Sequence, residues 1–387
     1  MKQSKFLLAA AFGFTVFAGC KKDAGLADKQ DAEGNLDKNN AGIVFAERGA
    51  SKGHVYTLSN ETTGNKVLEY KRGKDGKLSF SASYPTGGNG SGGGLGNQGA
   101  VIISGENEAL LAVNAGSNTI TAFKITGNGL ELKSTVSSGG TTPVSITQHD
   151  DIVFVLNAGG DGNISGFTLD DKKLKPIQNS ARSLSSNASG AAQISFVNNG
   201  NDLAITEKAT NKIITYTVSE HGIPGAMHSI TSATPTPFGF AVDRNGNIFV
   251  SEAAGGAANA SAVSSYHIEY NGEISLTKGP VATNQTAACW VVITNNGKYA
   301  YATNTGSNTI SSYYTNNSGS LGLAASVAAS SDAGPIDAAL SRNSKFLYVL
   351  NSIAHTISVY RVNNDGSLNS VQTVAGLVPG SNGLAAW

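Results

Sequence analysis

The amino-acid sequence predicts an all-β protein: a seven-bladed β-propeller of four-stranded antiparallel blades, its ring closed by the C-terminal strand in the first blade. Three observations predict it. One pattern, clearest as NTGSNTISSY from Asn304, recurs from Ser59 (SNETTGNKVLEY), Asn114 (NAGSNTITAF), Asn157 (NAGGDGNISGF), Glu207 (EKATNKIITY), Glu252 (EAAGGAANASAVSSY) and Asn351 (NSIAHTISVY). Successive copies lie roughly 40 to 55 residues apart, about the length of one propeller blade. No window carries a sustained helical period, whereas short apolar and alternating runs bounded by Gly, Asn and Asp fill the chain.

Each copy has the same internal order. An apolar run ends at the anchor residue (LLAVN, IVFVLN, YAYATN, FLYVLN), a small polar turn follows, and an alternating run leads away (TITAFKI, TISVYRV). That is two strands joined by a short turn. A further turn opens a third strand on Leu (GNGLELKSTV, DGSLNSVQTV), and a Gly/Pro-rich passage leads into a short inner strand (PVSITQ, AAQISFV, PFGFAVD, CWVVIT, PIDAALS). The passages NNGKYAY, RNGNIFV and RNSKFLY turn that inner strand into the next apolar run. The first copy lacks an inner strand, and SNGLAAW, from Ser381 to Trp387, has its spacing and composition. Asn382 to Trp387 is therefore expected to pair inside the first blade as a clasp that removes the open edge of the ring.

Composition narrows the setting. Formal net charge is zero, charged residues make up 14 %, and Gly numbers 47, with no basic stripe or polybasic tail. A nucleic-acid partner is not expected from this balance. The first residues read as a targeting segment: Lys2 and Lys5, an apolar core from Phe6 to Phe17, and a small-residue site ending Ala18-Gly19-Cys20. That ending is similar to a bacterial lipoprotein signal, which predicts a signal over 1–20, lipidation at Cys20 and a membrane contact made only through the lipid. Lys21 after the cysteine favours the outer membrane. Residues 21–41 are charged and poor in large apolar side chains, as expected of a tether, and 42–387 is the propeller. Ile43 to Glu47 (IVFAE) is an apolar stretch without a place in the blade count. With Cys20 lipidated, Cys289 is the one other cysteine, so stability must come from packing and ring closure.

YVLN at Tyr348–Asn351, FVLN at Phe154–Asn157 and YATN at Tyr301–Asn304, each followed by a TIS or NIS strand, resemble the YVTN-type repeats of the lactonase-family seven-bladed propellers. That family includes propeller-type phosphogluconolactonases and carboxymuconate cyclases, and the resemblance covers about residues 53 to 387. It implies hydrolysis of a lactone, or at least a sugar-derived small-molecule ligand, by a monomer. In enzymatic members one inner strand resembles Pro-Arg-His followed by apolar residues. Here the matching segment is Ala287-Ala288-Cys289-Trp290-Val291-Val292, without Arg or His. A non-enzymatic envelope propeller that binds a glycan or a protein is the alternative.

In such a ring the anchors and the inner-strand entries fall on one face, so a polar, slightly acidic mouth is expected there. Glu207 and Glu252 replace the usual Asn anchor and are the candidate catalytic carboxylates, each a candidate general base on water, with Lys208 the nearby cation. Gln98, Gln193, Trp290 and Asp337 at the inner-strand entries are candidate substrate contacts. Asn114, Asn157 and Asn304 are candidate oxygen ligands for a hard cation such as Ca²⁺, although Asn at strand ends more often stabilises turns through its own backbone. Cys289 reads as a small buried apolar residue, since no histidine base accompanies it. The glycines of GGNGSGGGLGNQG, from Gly87 to Gly99, are expected to let the backbone bend over the channel mouth, and the run lacks the Lys-Ser/Thr ending of a phosphate loop.

Overall fold

The computed structural model describes residues 53–105 and 108–387. Cys20, the 21–41 tether and Ile43 to Glu47 lie outside the described residues. Seven antiparallel sheets follow one another around a ring. Blade 2 runs Val101–Ile103, Ala109–Asn114, Thr119–Thr126 and Gly129–Ser137 from the centre outward, and blade 7 runs Pro335–Leu340, Phe346–Asn351, Thr356–Val362 and Leu368–Ala375. Among the described residues the helical content is two three-residue 3₁₀ turns, Asn198–Gly200 and Ala254–Gly256.

Burial explains the residue choice strand by strand. The second strand of a blade is covered on both faces by its neighbours, so Phe346–Asn351 and Ala109–Asn114 are buried at every position and read as continuous apolar runs. The outermost strand is wetted, and Leu368–Ala375 is mostly exposed or half-buried. Tyrosines near the end of the third strand tie blades 4 and 7 to the blades before them. Tyr216 Oη donates to Ser183 O at 2.5 Å and Tyr360 Oη to Ser330 O at 2.6 Å.

The repeated N-x-x-x-N has a division of labour. Its second Asn sits in the left-handed region, with φ of 56° at Asn118, 55° at Asn211 and 55° at Asn308, a conformation that Asn tolerates better than most residues. From there its side chain accepts a hydrogen bond from the passage into the next blade: Thr142 N to Asn118 Oδ1 at 2.8 Å, Thr236 N to Asn211 Oδ1 at 2.8 Å, Gly334 N to Asn308 Oδ1 at 2.9 Å. The motif therefore both turns one hairpin and fixes the start of the next blade.

Ring closure follows the expected clasp. Asn382–Ala386 is the innermost strand of blade 1, beside Gly53–Leu58, with Val55 opposite Ala386 and Tyr56 opposite Ala385. Trp387 N donates to His54 O at 3.0 Å, extending the pairing by a residue. Nearly every inner strand carries a register shift at its entrance, between Pro143 and Ser145, Ala191 and Gln193, Pro237 and Phe240, Ala288 and Trp290, and Pro335 and Asp337. Such bulges re-aim side chains, and here they stand at the channel.

Candidate functional site

The anchors are buried inside the blades. Asn114, Asn157, Glu207, Glu252, Asn304 and Asn351 are all 0 % exposed. The Asn amides donate across their own hairpins: Asn114 Nδ2 to Thr119 Oγ1 and Thr121 Oγ1 at 3.1 and 2.9 Å, Asn304 Nδ2 to Thr309 Oγ1 and Ser311 Oγ at 3.1 and 2.9 Å. Asn157 Nδ2 donates to Ser138 O at 3.2 Å. The three Asn candidates for a cation thus sit in separate blades, each bonded within the frame. Among the described residues no three of His, Cys, Asp and Glu converge as a metal cluster would require.

The two Glu anchors reverse the polarity of this arrangement. Glu252 accepts where Asn donates: Tyr266 Oη at 2.6 Å and Ala233 N at 3.1 Å reach Oε1, and Ser264 Oγ at 2.7 Å reaches Oε2. Burial raises the Glu252 carboxyl above its ordinary value, and the Tyr266 and Ser264 hydroxyls oppose that rise. Glu207 accepts from Ser185 N at 2.9 Å and Thr210 Oγ1 at 2.6 Å, and from the Ser185 hydroxyl. Neither carboxylate lines the channel cavity described below, so the expected acidic ring around an open mouth does not form.

What occupies the anchor end is the glycine-rich run. Residues 95–98 cross the channel and bond to inner strands on three blades. Asn97 Nδ2 donates to Val144 O of blade 3, Gln98 N to Ala192 O of blade 4 at 3.1 Å, and Trp290 Nε1 of blade 6 to Asn97 O at 2.5 Å. Lys208 Nζ caps the crossing from the Glu207 turn by donating to Gly96 O, and lies 4.6 Å from the Phe238 ring centroid. Gly96 has φ of 59°, and a Cβ at Gly239 would collide with Gln98 Oε1 of the crossing and stand 2.7 Å from Cys289 O of blade 6; neither position accommodates a larger residue without movement. Phe238, Cys289, Trp290 and Ile336 pack into one buried cluster there. Trp290, 4 % exposed with its ring 4.9 Å from that of Phe238, is a packed element of this plug and presents no free stacking face. Burial pushes the Cys289 thiol up to about 12, which keeps it protonated, and pulls the Lys208 ammonium down to about 8.

The opposite end of the channel is open. A cavity of about 440 Å³ is lined by Gln98, Gln193 and Asp337 at its inner end and by Asn295, Arg342 and Trp387 among the outer residues. Three of the four expected substrate contacts therefore meet in one cavity, though from the far side of the ring. The two glutamines also act as struts. Gln98 Nε2 donates to Val291 O at 3.0 Å and its Oε1 accepts from Val291 N at 3.3 Å; Gln193 pairs with Phe240 O and N in the same way, at 3.0 and 2.6 Å. Each side chain mimics a peptide group and spans a gap between inner strands. Asp337 Oδ1 accepts from Ala338 N at 2.8 Å, and burial holds its carboxyl well above the usual carboxylate range. It is the one acid lining this cavity, and burial of that kind favours the protonated, donating form.

Nothing in the sequence pattern marks Asn295 and Arg342 as site residues. They belong to the NNGK and RNSK turns, which read as connectors because their Asn side chains stabilise the turn. Asn296 Oδ1 accepts from Lys298 N and Asn343 Oδ1 from Lys345 N, each at 3.1 Å. The usable signal is positional: these turns all fall on the end of the ring opposite the anchors.

A seven-bladed ring, plugged at one end and open to a polar cavity at the other, defines a propeller with a single accessible channel mouth. The chain belongs to the lactonase, 7-bladed beta-propeller family, whose model matches residues 42–186 and 259–386. No curated protein matches it. Among solved structures it is similar to a protein from Lactobacillus plantarum, at 16 % identity and a TM-score of 0.69 over 87 % of this chain and 99 % of that one. It is also similar to the Pseudomonas aeruginosa periplasmic gluconolactonase PpgL, at 15 % identity and a TM-score of 0.67 over 87 % and 98 %. These likenesses establish the fold. The stretch between the two matched segments contains Glu207 and Glu252, the anchors that depart from the Asn pattern.

Proposed function

We propose that this chain is a binding propeller of the bacterial cell envelope, held to the outer membrane through lipidated Cys20, which takes a small polyhydroxylated ring, a sugar-derived lactone or its open acid, in the channel cavity. The observation that carries the reading is the convergence of Gln98, Gln193 and Asp337 on one cavity of about 440 Å³, within the range of small-molecule sites. Amides that donate and accept, beside a carboxyl that donates when protonated, suit ring hydroxyls and a carbonyl. The carboxylates best placed in the repeat to serve as a base, Glu207 and Glu252, are instead occupied by hydroxyl and N–H donors of the frame.

Hydrolysis of a lactone is the second reading, favoured by membership of the lactonase family. Calorimetric titration of the soluble form from Lys21 with sugar-derived lactones and their acids, alongside a hydrolysis assay with Ca²⁺ and with EDTA, separates the two. Saturable binding without turnover supports the binding reading. Turnover overturns it in favour of hydrolysis, and turnover lost on chelation assigns that hydrolysis to a metal-assisted route.

A further inference from the structure

A second cavity of about 440 Å³ lies between blades 5 and 6 on the same end of the ring, lined by Arg244, Asn245, Asn295 and Asn317 among others. Asn295 lines both. Its Nδ2 donates to Arg342 O and its backbone N donates to Ser344 Oγ at 2.9 Å, so blade 6 is pinned to the blade 7 turn beside both spaces. Each space has one arginine, Arg342 on the axis and Arg244 in the cleft, and both are exposed. Among the described residues neither guanidinium has a carboxylate within ion-pair distance.

We infer that the two cavities form one extended site for an acidic oligosaccharide of at least two sugar units, one ring on the channel axis and the next between blades 5 and 6. The inference rests on the reading that the channel cavity holds a polar ring, and it adds both the length and the charge of the ligand. Length follows from two neighbouring spaces of equal size that share Asn295 as a wall, each large enough alone for a small ligand. Charge follows from the chemistry of the walls. Asn245 Nδ2 is committed to Asn317 O at 2.9 Å; Asp243 Oδ1 accepts from Asn245 N and Asn247 N at 2.8 and 2.9 Å and its Oδ2 from Asn247 Nδ2 at 2.8 Å, so both oxygens of the turn acid are occupied within its own turn. The two guanidiniums remain, and a guanidinium fork matches a carboxylate in two parallel hydrogen bonds. A uronic acid repeat places one carboxylate on each successive ring, the spacing that one arginine per cavity would read.

The experiment is calorimetric titration of the full chain in detergent with galacturonate, its α-1,4-linked dimer and the neutral disaccharide galactobiose. The acidic dimer should bind about tenfold more tightly than the monomer, the size of one charge-assisted contact, and about a hundredfold more tightly than galactobiose, which lacks both carboxylates. Arg244→Ala should bring the dimer back to the monomer's affinity and leave the monomer unchanged, whereas Arg342→Ala should weaken both. Both arginines are exposed, so unchanged thermal melts confirm that the variants are folded. A dimer that binds no better than the monomer, or an Arg244→Ala variant that binds the dimer as before, overturns the extended site and leaves the axial ring standing. Failure of monomer and dimer alike overturns the axial reading together with the extension.

Discussion

The two ends of the central channel are framed by the same seven inner strands, and they differ in what the chain lays across them. At the anchor end residues 95–98 bridge three blades, with Trp290, Phe238 and Cys289 packed beneath. At the other end only the short inner turns surround the axis, and a polar cavity remains. The repeat builds both ends alike, so it cannot say which is open. That choice is made by the one stretch that is not repeated, the glycine-rich run before blade 2.

The largest effect should come from reopening the ring, which removes the frame that both ends share. Deleting Asn382 to Trp387 leaves blade 1 without its inner strand and should abolish cooperative thermal unfolding. A truncated chain that melts as the intact one does would show that the clasp is dispensable. Next comes the plug. Trp290→Ala should cost about 3 to 5 kcal/mol in urea denaturation, the usual range for deleting a buried large aromatic, whereas Trp387→Ala, at a partly exposed position, should cost clearly less. Equal losses would mean that the two ends are packed alike.

A smaller effect distinguishes frame from chemistry at the acidic anchors. Glu252→Ala takes the acceptor from Tyr266 Oη and Ser264 Oγ, both on fully buried residues, with a cost of about 2 to 3 kcal/mol for the lost partners. Glu252→Gln retains an acceptor and should cost less than about 1 kcal/mol, with ligand binding unchanged in both. A Gln variant that stays stable but loses binding would return Glu252 to the site.

The smallest effect is at Asp337. Its folded-state pKa is raised from the ordinary 3.8, so the folded chain holds this proton more tightly than the unfolded one. The resulting stabilisation is complete below 3.8 and is lost as pH rises through the folded value. Asp337→Asn removes the proton equilibrium while keeping a polar side chain of the same size. It should therefore flatten that part of the stability profile and raise the melting temperature at pH 8 by about 2 °C. A lower melting temperature at pH 8 would show that the carboxylate is stabilising in its charged form.

Much of this frame could be read from the chain alone, because blade geometry is written in local chemistry. The apolar run ending in Asn, the left-handed Asn four residues later and the Gly/Pro passage each obey turn and burial rules that act within a few residues. The clasp was legible for a similar reason: the first copy lacks an inner strand, and SNGLAAW has the composition of one. Which end of the channel is open was not legible. It depends on Gln98 meeting Val291 and Trp290 meeting Asn97, contacts between residues 193 positions apart. Gln98, Gln193 and Asp337 stand out because they break an otherwise apolar strand entry. Asn295 and Arg342 do not, because the same residues also satisfy an ordinary turn.

The most direct test of a closed end and an open end uses the two tryptophans, one at each. Ligand titration is followed by fluorescence in Trp290→Phe, where only Trp387 emits, and in Trp387→Phe, where only Trp290 emits. A saturable change in emission is expected from Trp387, which lines the open cavity, and none from Trp290. A change confined to Trp290 would place the ligand at the anchor end and contradict the assignment of the open mouth.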